Sequence, residues 1–149
     1  MKKHYKFRLV VDEDVLKKYS LPEIDLQINA YLNDPNGWGH FFEQVDAGED
    51  VLIRISSPST IKSVCGLPSN LSCAELGGKH MYLNSERWMH GSKKSKLSLE
   101  NYRQYMVSHE IGHILGFDHK PCPCVGCKAP IMMQQTLGIG KCLPNIKVK

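Results

Sequence analysis

Residues 98–119 leave the chain little freedom. Ser98 carries a side-chain oxygen of the kind that accepts bonds from the free N–H groups at a helix start, and Gly116 can adopt the positive φ that ends a helix. Between them, residues 98–115 are predicted to form one long helix. His109 and His113 stand four positions apart on it, so their imidazoles project from one face, one turn above the other. Gly116 lets the chain turn sharply at no steric cost, and the turn brings His119 back toward the same face. Any fold this chain adopts has to close around that helix face and that turn.

The spacing carries chemistry. Imidazole nitrogens of His109, His113 and His119 can reach one tetrahedral ion, and three protein ligands leave the fourth position open for water. That is the pattern of a catalytic zinc site rather than a structural one. Glu110 adjoins the first ligand, so its carboxylate stands beside the ion and within reach of a bound water. A purely structural site would not need it. Five positions are fixed, so a chance match arises roughly once in a few million windows. The expected cofactor is one Zn2+ ion on His109, His113 and His119, with Glu110 as the catalytic base.

The rest of the chain sets bounds. Its 149 residues fit one domain, 42% of them apolar and 23% charged, a globular balance that excludes disorder as the main state. No apolar run approaches the ~20 residues of a membrane span. Residues 1–11 are basic but lack a continuous apolar run and a small-residue cleavage site, so the expectation is that a signal peptide is absent or was removed ahead of residue 1. The net charge of +4 is mild and comes mostly from lysine, whereas arginine is the usual reader of bases and phosphates. A nucleic-acid partner is therefore not expected.

Six cysteines lie at positions 65, 73, 122, 124, 127 and 142, all in the C-terminal part. Two readings are open. One is a disulfide framework from an oxidising or extracellular setting, which sits uneasily with the missing signal peptide. The other is a thiolate zinc site on Cys122, Cys124 and Cys127 with Cys142 as fourth ligand. As a zinc knuckle it would make the chain a nucleic-acid-binding module, a reading the mild charge opposes. A bond between Cys65 and Cys73 would staple a short surface loop.

Local patterns predict strands at residues 6–11, 51–55 (with Arg54 pointing out) and 80–83, and a helix at 22–33 with Pro22 in its first turn. Residues 56–74 read as loop, and residues 93–96 as a solvated basic loop. After residue 119 no long periodic segment remains. Trp38 and Trp88 read as packing, and His80 and His90 as surface or structural residues.

The run from His109 to His119 resembles the extended zinc signature of the metzincin metallopeptidases. That superfamily has a methionine-containing turn beneath the metal. Pro130-Ile131-Met132-Met133-Gln134 fits it, with Met132 ahead of Met133 as the methionine. Several metzincin families place a tyrosine two residues after the methionine; Gln134 stands there in this chain. A narrower resemblance is to an uncharacterised metzincin-like family, often secreted and known mainly from actinobacteria. It runs through Asp34-Pro35, Trp38-Gly39, Ser57-Pro58, Cys65, Cys73, Tyr82-Leu83-Asn84, Arg87-Trp88, His90-Gly91 and Tyr102-Arg103. It continues with Tyr105, the zinc helix, Cys122-Pro123, Ala129-Pro130, Met132, Gln134-Gln135-Thr136, Gly138 and Cys142.

The resemblance implies an α+β fold: a small metzincin-like (zincin) catalytic domain over 1–149, with a twisted mixed sheet and two main helices. Its upper subdomain would span about 1–119. An irregular Cys-rich lower subdomain with the Met-turn would span about 120–149. It implies disulfides Cys65–Cys73 and Cys122–Cys142, leaving Cys124 and Cys127 to pair with each other or stay free. It implies a zinc-dependent endopeptidase acting as a monomer on a protein or peptide substrate. The substrate would lie extended along an edge strand, for which residues 80–84 are the candidate. The alternative is a catalytically silent zinc-binding recognition domain.

Overall fold

The computed structural model describes residues 3–66, 68 and 70–149. In chain order the elements are β1 (His4–Val11), α1 (Glu13–Lys18), α2 (Ile24–Leu32), β2 (Phe41–Gln44), β3 (Val51–Ser56), α3 (Pro58–Cys65), β4 (Cys73–Ala74), β5 (His80–Asn84), α4 (Ser85–His90) and α5 (Leu99–Ile114). Among the described residues, five strands form one mixed sheet in the order β2-β1-β3-β5-β4. β1 pairs with β2 and β3 in parallel, β3 with β5 in parallel, and only β4 runs antiparallel, with Cys73 opposite Tyr82 and Ala74 opposite Met81.

Alternation builds the sheet's inner face. Val51, Ile53 and Ile55 of β3 are buried, as are Phe7 of β1 and Met81 and Leu83 of β5. Ile24, Ile28 and Leu32 of α2 and Tyr102, Tyr105, Met106 and Ile111 of α5 join them in a single core cluster. Trp88 is buried in that cluster, with the Arg103 guanidinium over its ring at 5.0 Å.

The structure departs from the sequence reading in several places. Residues 93–95 form a 3-10 turn with Ser95 buried, not a solvated loop. Residues 56–74 are not all loop: α3 forms there, because the Ser57 hydroxyl accepts from Thr60 N–H at 3.3 Å, Pro58 opens the helix and Gly66 ends it in the left-handed region. Pro22 precedes α2, whose N-cap is Glu23. Beside the two longest helices, α2 and α5, the described residues form three shorter ones, α1, α3 and α4. The candidate edge strand, β5, is interior; the two-residue β4 covers it and is itself the edge.

Beyond Ile114, the described regular structure is one 3-10 turn, Gln135–Leu137, and one bridge between Lys128 and Leu143. Disulfides Cys122–Cys142 and Cys124–Cys127 cross-link this segment, and Cys65–Cys73 ties α3 to β4. With these pairs formed, no free thiol remains among the described residues for a thiolate zinc site or knuckle.

Candidate metal centre

Helix α5 presents the first two histidines. Its N-terminus is capped by Ser98, whose hydroxyl accepts from Asn101 N–H at 3.2 Å, and all residues from Tyr105 to Ile114 are buried. Gly116, at φ 101°, closes the helix with paired bonds: its N–H donates to the His113 carbonyl and Phe117 N–H to the Gly112 carbonyl, both at 2.9 Å. That turn swings His119 over the helix. The Nδ1/Nε2 ligand atoms of His109, His113 and His119 then all lie within 4.8 Å of one another.

The ring nitrogens that point away from this cluster settle the tautomers. His109 Nδ1 meets the Ile131 carbonyl and His113 Nδ1 the Phe117 carbonyl, each at 2.8 Å. A carbonyl can only accept, so both Nδ1 atoms carry the hydrogen and both Nε2 atoms keep a lone pair. His113 Nε2 then faces His119 Nε2 at 3.1 Å. Burial also keeps the rings neutral, as ligation requires: it pushes His109 down to about 3, helped by its neighbours His113 and His119, and lowers His113 in the same direction. Three imidazole nitrogens are a donor set suited to zinc.

Glu110 is the second part of the site. It is fully enclosed, its Oε1 has no hydrogen-bond partner, and burial alone pushes its carboxyl up to about 8. Orphaned buried carboxylate oxygens are rare and call for a reason. Glu110 and the three histidines line one cavity of about 240 Å³, with Leu71, Ser72, Cys73 and Ala74 on one wall and Tyr105, Gln134 and Thr136 on the other.

The floor is made by the irregular segment. Met132 is buried beneath α5 against Gly112: a Cβ at Gly112 would collide with Met132 Sδ and stand 2.7 Å from the Trp38 ring. Trp38 is fixed there by its Nε1–H bond to the Ser108 carbonyl (2.8 Å) and by stacking on Phe117 at 4.7 Å. The loop around Met132 is pinned by Tyr105, which donates to the Met133 carbonyl (3.0 Å) and accepts from Gln135 N–H (2.9 Å). Burial raises the Tyr105 hydroxyl far above its ordinary range, so it is a fixed neutral brace. Gln135 and Asn145 exchange bonds of 2.9 and 3.1 Å that tie the C-terminal segment to the same loop.

The structure brings His109, His113, His119, Glu110 and Met132 together; His80 and His90 lie apart, bonded to Glu75 and Glu86. Sequence reasoning quoted Tyr105, Cys73 and Thr136 in the family resemblance without giving them a place at the site, and it missed Gly112 and the rest of the wall at residues 71–74. Gly112 had a signal: a glycine inside a helical run marks a close approach.

No curated protein matches the chain. Among solved structures, one described as "Structure of myroilysin" is similar at 16% identity and a TM-score of 0.47; the match covers 78% of this chain and 48% of that one, so the chain spans about half that protein's length. The family model described as "Protein of unknown function (DUF3152)" matches residues 1–144, and the chain belongs to that family.

Proposed function

We propose that this member of the DUF3152 family is a zinc-dependent endopeptidase of metzincin type, its single catalytic domain divided near residue 119 into an upper sheet part and a lower part carrying the Met-turn. One observation carries the reading: a buried carboxyl without a partner, Glu110, sits in the same cavity as three imidazoles whose ligand nitrogens converge. His109, His113 and His119 would hold the ion. Zinc there would polarise a substrate carbonyl and make a water acidic enough to lose its proton near neutral pH.

The chain's residues supply the rest. Glu110 takes the proton from the attacking water and delivers it to the leaving amine, and burial raises its carboxyl toward the range that such a shuttle needs. Cys73 and Ala74 of the edge strand β4 line the cavity, so an extended peptide can add to that edge by backbone hydrogen bonds. Gln134 lines the cavity where several metzincins have a tyrosine, and its amide offers a donor to the developing oxyanion. The three disulfides suit work in an oxidising compartment.

Zinc-loaded protein incubated with a peptide library and read by mass spectrometry tests this. Cleavage at internal bonds, stopped by a chelator and absent in Glu110→Ala, is the expected outcome. Zinc-loaded protein that leaves every peptide intact would favour a recognition domain instead.

A further inference from the structure

A second depression, of about 350 Å³, is lined by Arg87, His90, Ser92, Lys93, Lys94 and Thr136, with Asn70 and Gly91. Among the described residues no acidic side chain lines it. It adjoins the metal cavity: Thr136 lines both, and the chain passes from Asn70 in this wall to Leu71 and Ser72 in the other.

The cations here differ from a solvated surface. Arg8 pairs with Glu49, Arg54 with Asp12, and Arg103 is bound to the Trp88 carbonyl. Arg87 forms no ion pair among the described residues, and its Nε is buried without an acceptor. A buried guanidinium nitrogen left unpaired costs free energy that a carboxylate would recover through paired N–H···O bonds. Lys93 and Lys94 are not on a loose loop either. Ser95 donates to the Ser92 carbonyl at 2.6 Å, and Ser92 donates to the Thr136 carbonyl at 2.7 Å, tying their turn to the residue that separates the two cavities. Thr136 is held in turn by the Tyr102 hydroxyl at 2.7 Å. The nearby acid, Glu86, is already engaged by the Tyr19 hydroxyl (2.8 Å), Lys18 (3.3 Å) and His90 (3.8 Å).

We infer that this pocket is a carboxylate subsite of the cleft, with Arg87 as the principal ligand and Lys93 and Lys94 at its rim, so that the substrates are peptides presenting an acidic side chain or a C-terminal carboxylate beside the bond to be cut. The inference rests on the peptidase reading for its role, though not for the binding itself. A peptide added antiparallel to β4 runs opposite to the Cys73–Ala74 direction, so its C-terminal part passes toward Ser72 and the pocket. The carboxylate then belongs to the leaving-amine half of the substrate.

The test uses zinc-loaded Glu110→Ala protein, so that the peptide is not consumed, and calorimetry with blocked peptides. One set carries Asp or Asn at each position in turn; the other ends in a free carboxylate or an amide. One of the two sets should bind about tenfold more tightly in its carboxylate form, which identifies the source of the carboxylate. Arg87→Gln should abolish the difference, and Lys93→Gln with Lys94→Gln should reduce it. The lysine pair lies on an exposed turn and keeps the test informative if Arg87→Gln fails to fold. Equal binding of acid and neutral forms, or a preference unchanged in both variants, overturns the subsite. The two readings fail separately. An Arg87-dependent preference in a protein that cleaves nothing removes the peptidase and keeps the pocket; cleavage without the preference does the reverse.

Discussion

The two halves of the candidate metal centre are held by different means. Helix α5 supplies His109, Glu110 and His113 from a regular element whose backbone bonds are local and whose face is set by a spacing of four. The segment after Ile114 supplies His119 and Met132 with scarcely any regular structure, one 3-10 turn and one bridge among the described residues. It is held by two disulfides, by Tyr105 and by the Gln135–Asn145 bonds. A helix positions ligands through its own regular geometry, whereas an irregular segment needs cross-links and side-chain bonds. The two halves should therefore break differently.

The largest difference should come from the disulfides. Cys122–Cys142 spans 20 residues, and removing it with Cys122→Ser and Cys142→Ser should cost about 3 kcal/mol by the loop-entropy relation. Cys65–Cys73 spans 8 and should cost less. Zinc affinity separates the halves more sharply: loss of Cys122–Cys142 should weaken it by loosening His119, and loss of Cys65–Cys73 should leave it nearly unchanged. Metal titration of the two variants decides this.

Glu110 gives a pH signature to the helix half of the metal-free protein. Its folded pKa of about 8 lies above its unfolded 4.5, so folding becomes less favourable as pH rises between them. His109, depressed to about 3 from 6.5, acts in the opposite sense, its contribution being lost as pH falls below 6.5. His113 is lowered in the same sense as His109, and both effects are nearly exhausted above pH 7, where unfolded histidine is mostly neutral, so the Glu110 effect dominates between pH 7 and 8. Metal-free protein should lose about 1 kcal/mol across that window, and Glu110→Gln should not. Denaturant melts at the two pH values measure it.

The smallest effect tests the contact between the halves. Gly112→Ala gains roughly 1 kcal/mol of helix propensity but forces the Trp38 ring and Met132 away, an overpacking cost of about 2 kcal/mol. The net destabilisation should be about 1 kcal/mol, measured by the same melts.

The helix half was legible in the sequence because spacing, Ser98 and Gly116 all agree on one element. The other half was legible only at particular residues, since no periodicity marks an irregular segment. The sheet order depends on pairing between distant stretches. β4 is two residues long and buries little, which is why β5 could be mistaken for the edge. α3 escaped notice because only Ile61 of its residues is buried, so it shows almost no apolar stripe. The walls of the cavity, Tyr105, Thr136 and residues 71–74, come from elements far apart in the chain, and their meeting is a property of packing.

In the proposed function Glu110 moves protons and does not hold the metal. Peptide hydrolysis by the parent and by Glu110→Gln, at equal zinc content per chain, separates these roles. One zinc should be bound in both, with a rate at least about a hundredfold lower in the variant. A variant that cleaves as fast as the parent, or that has lost its zinc, would contradict it.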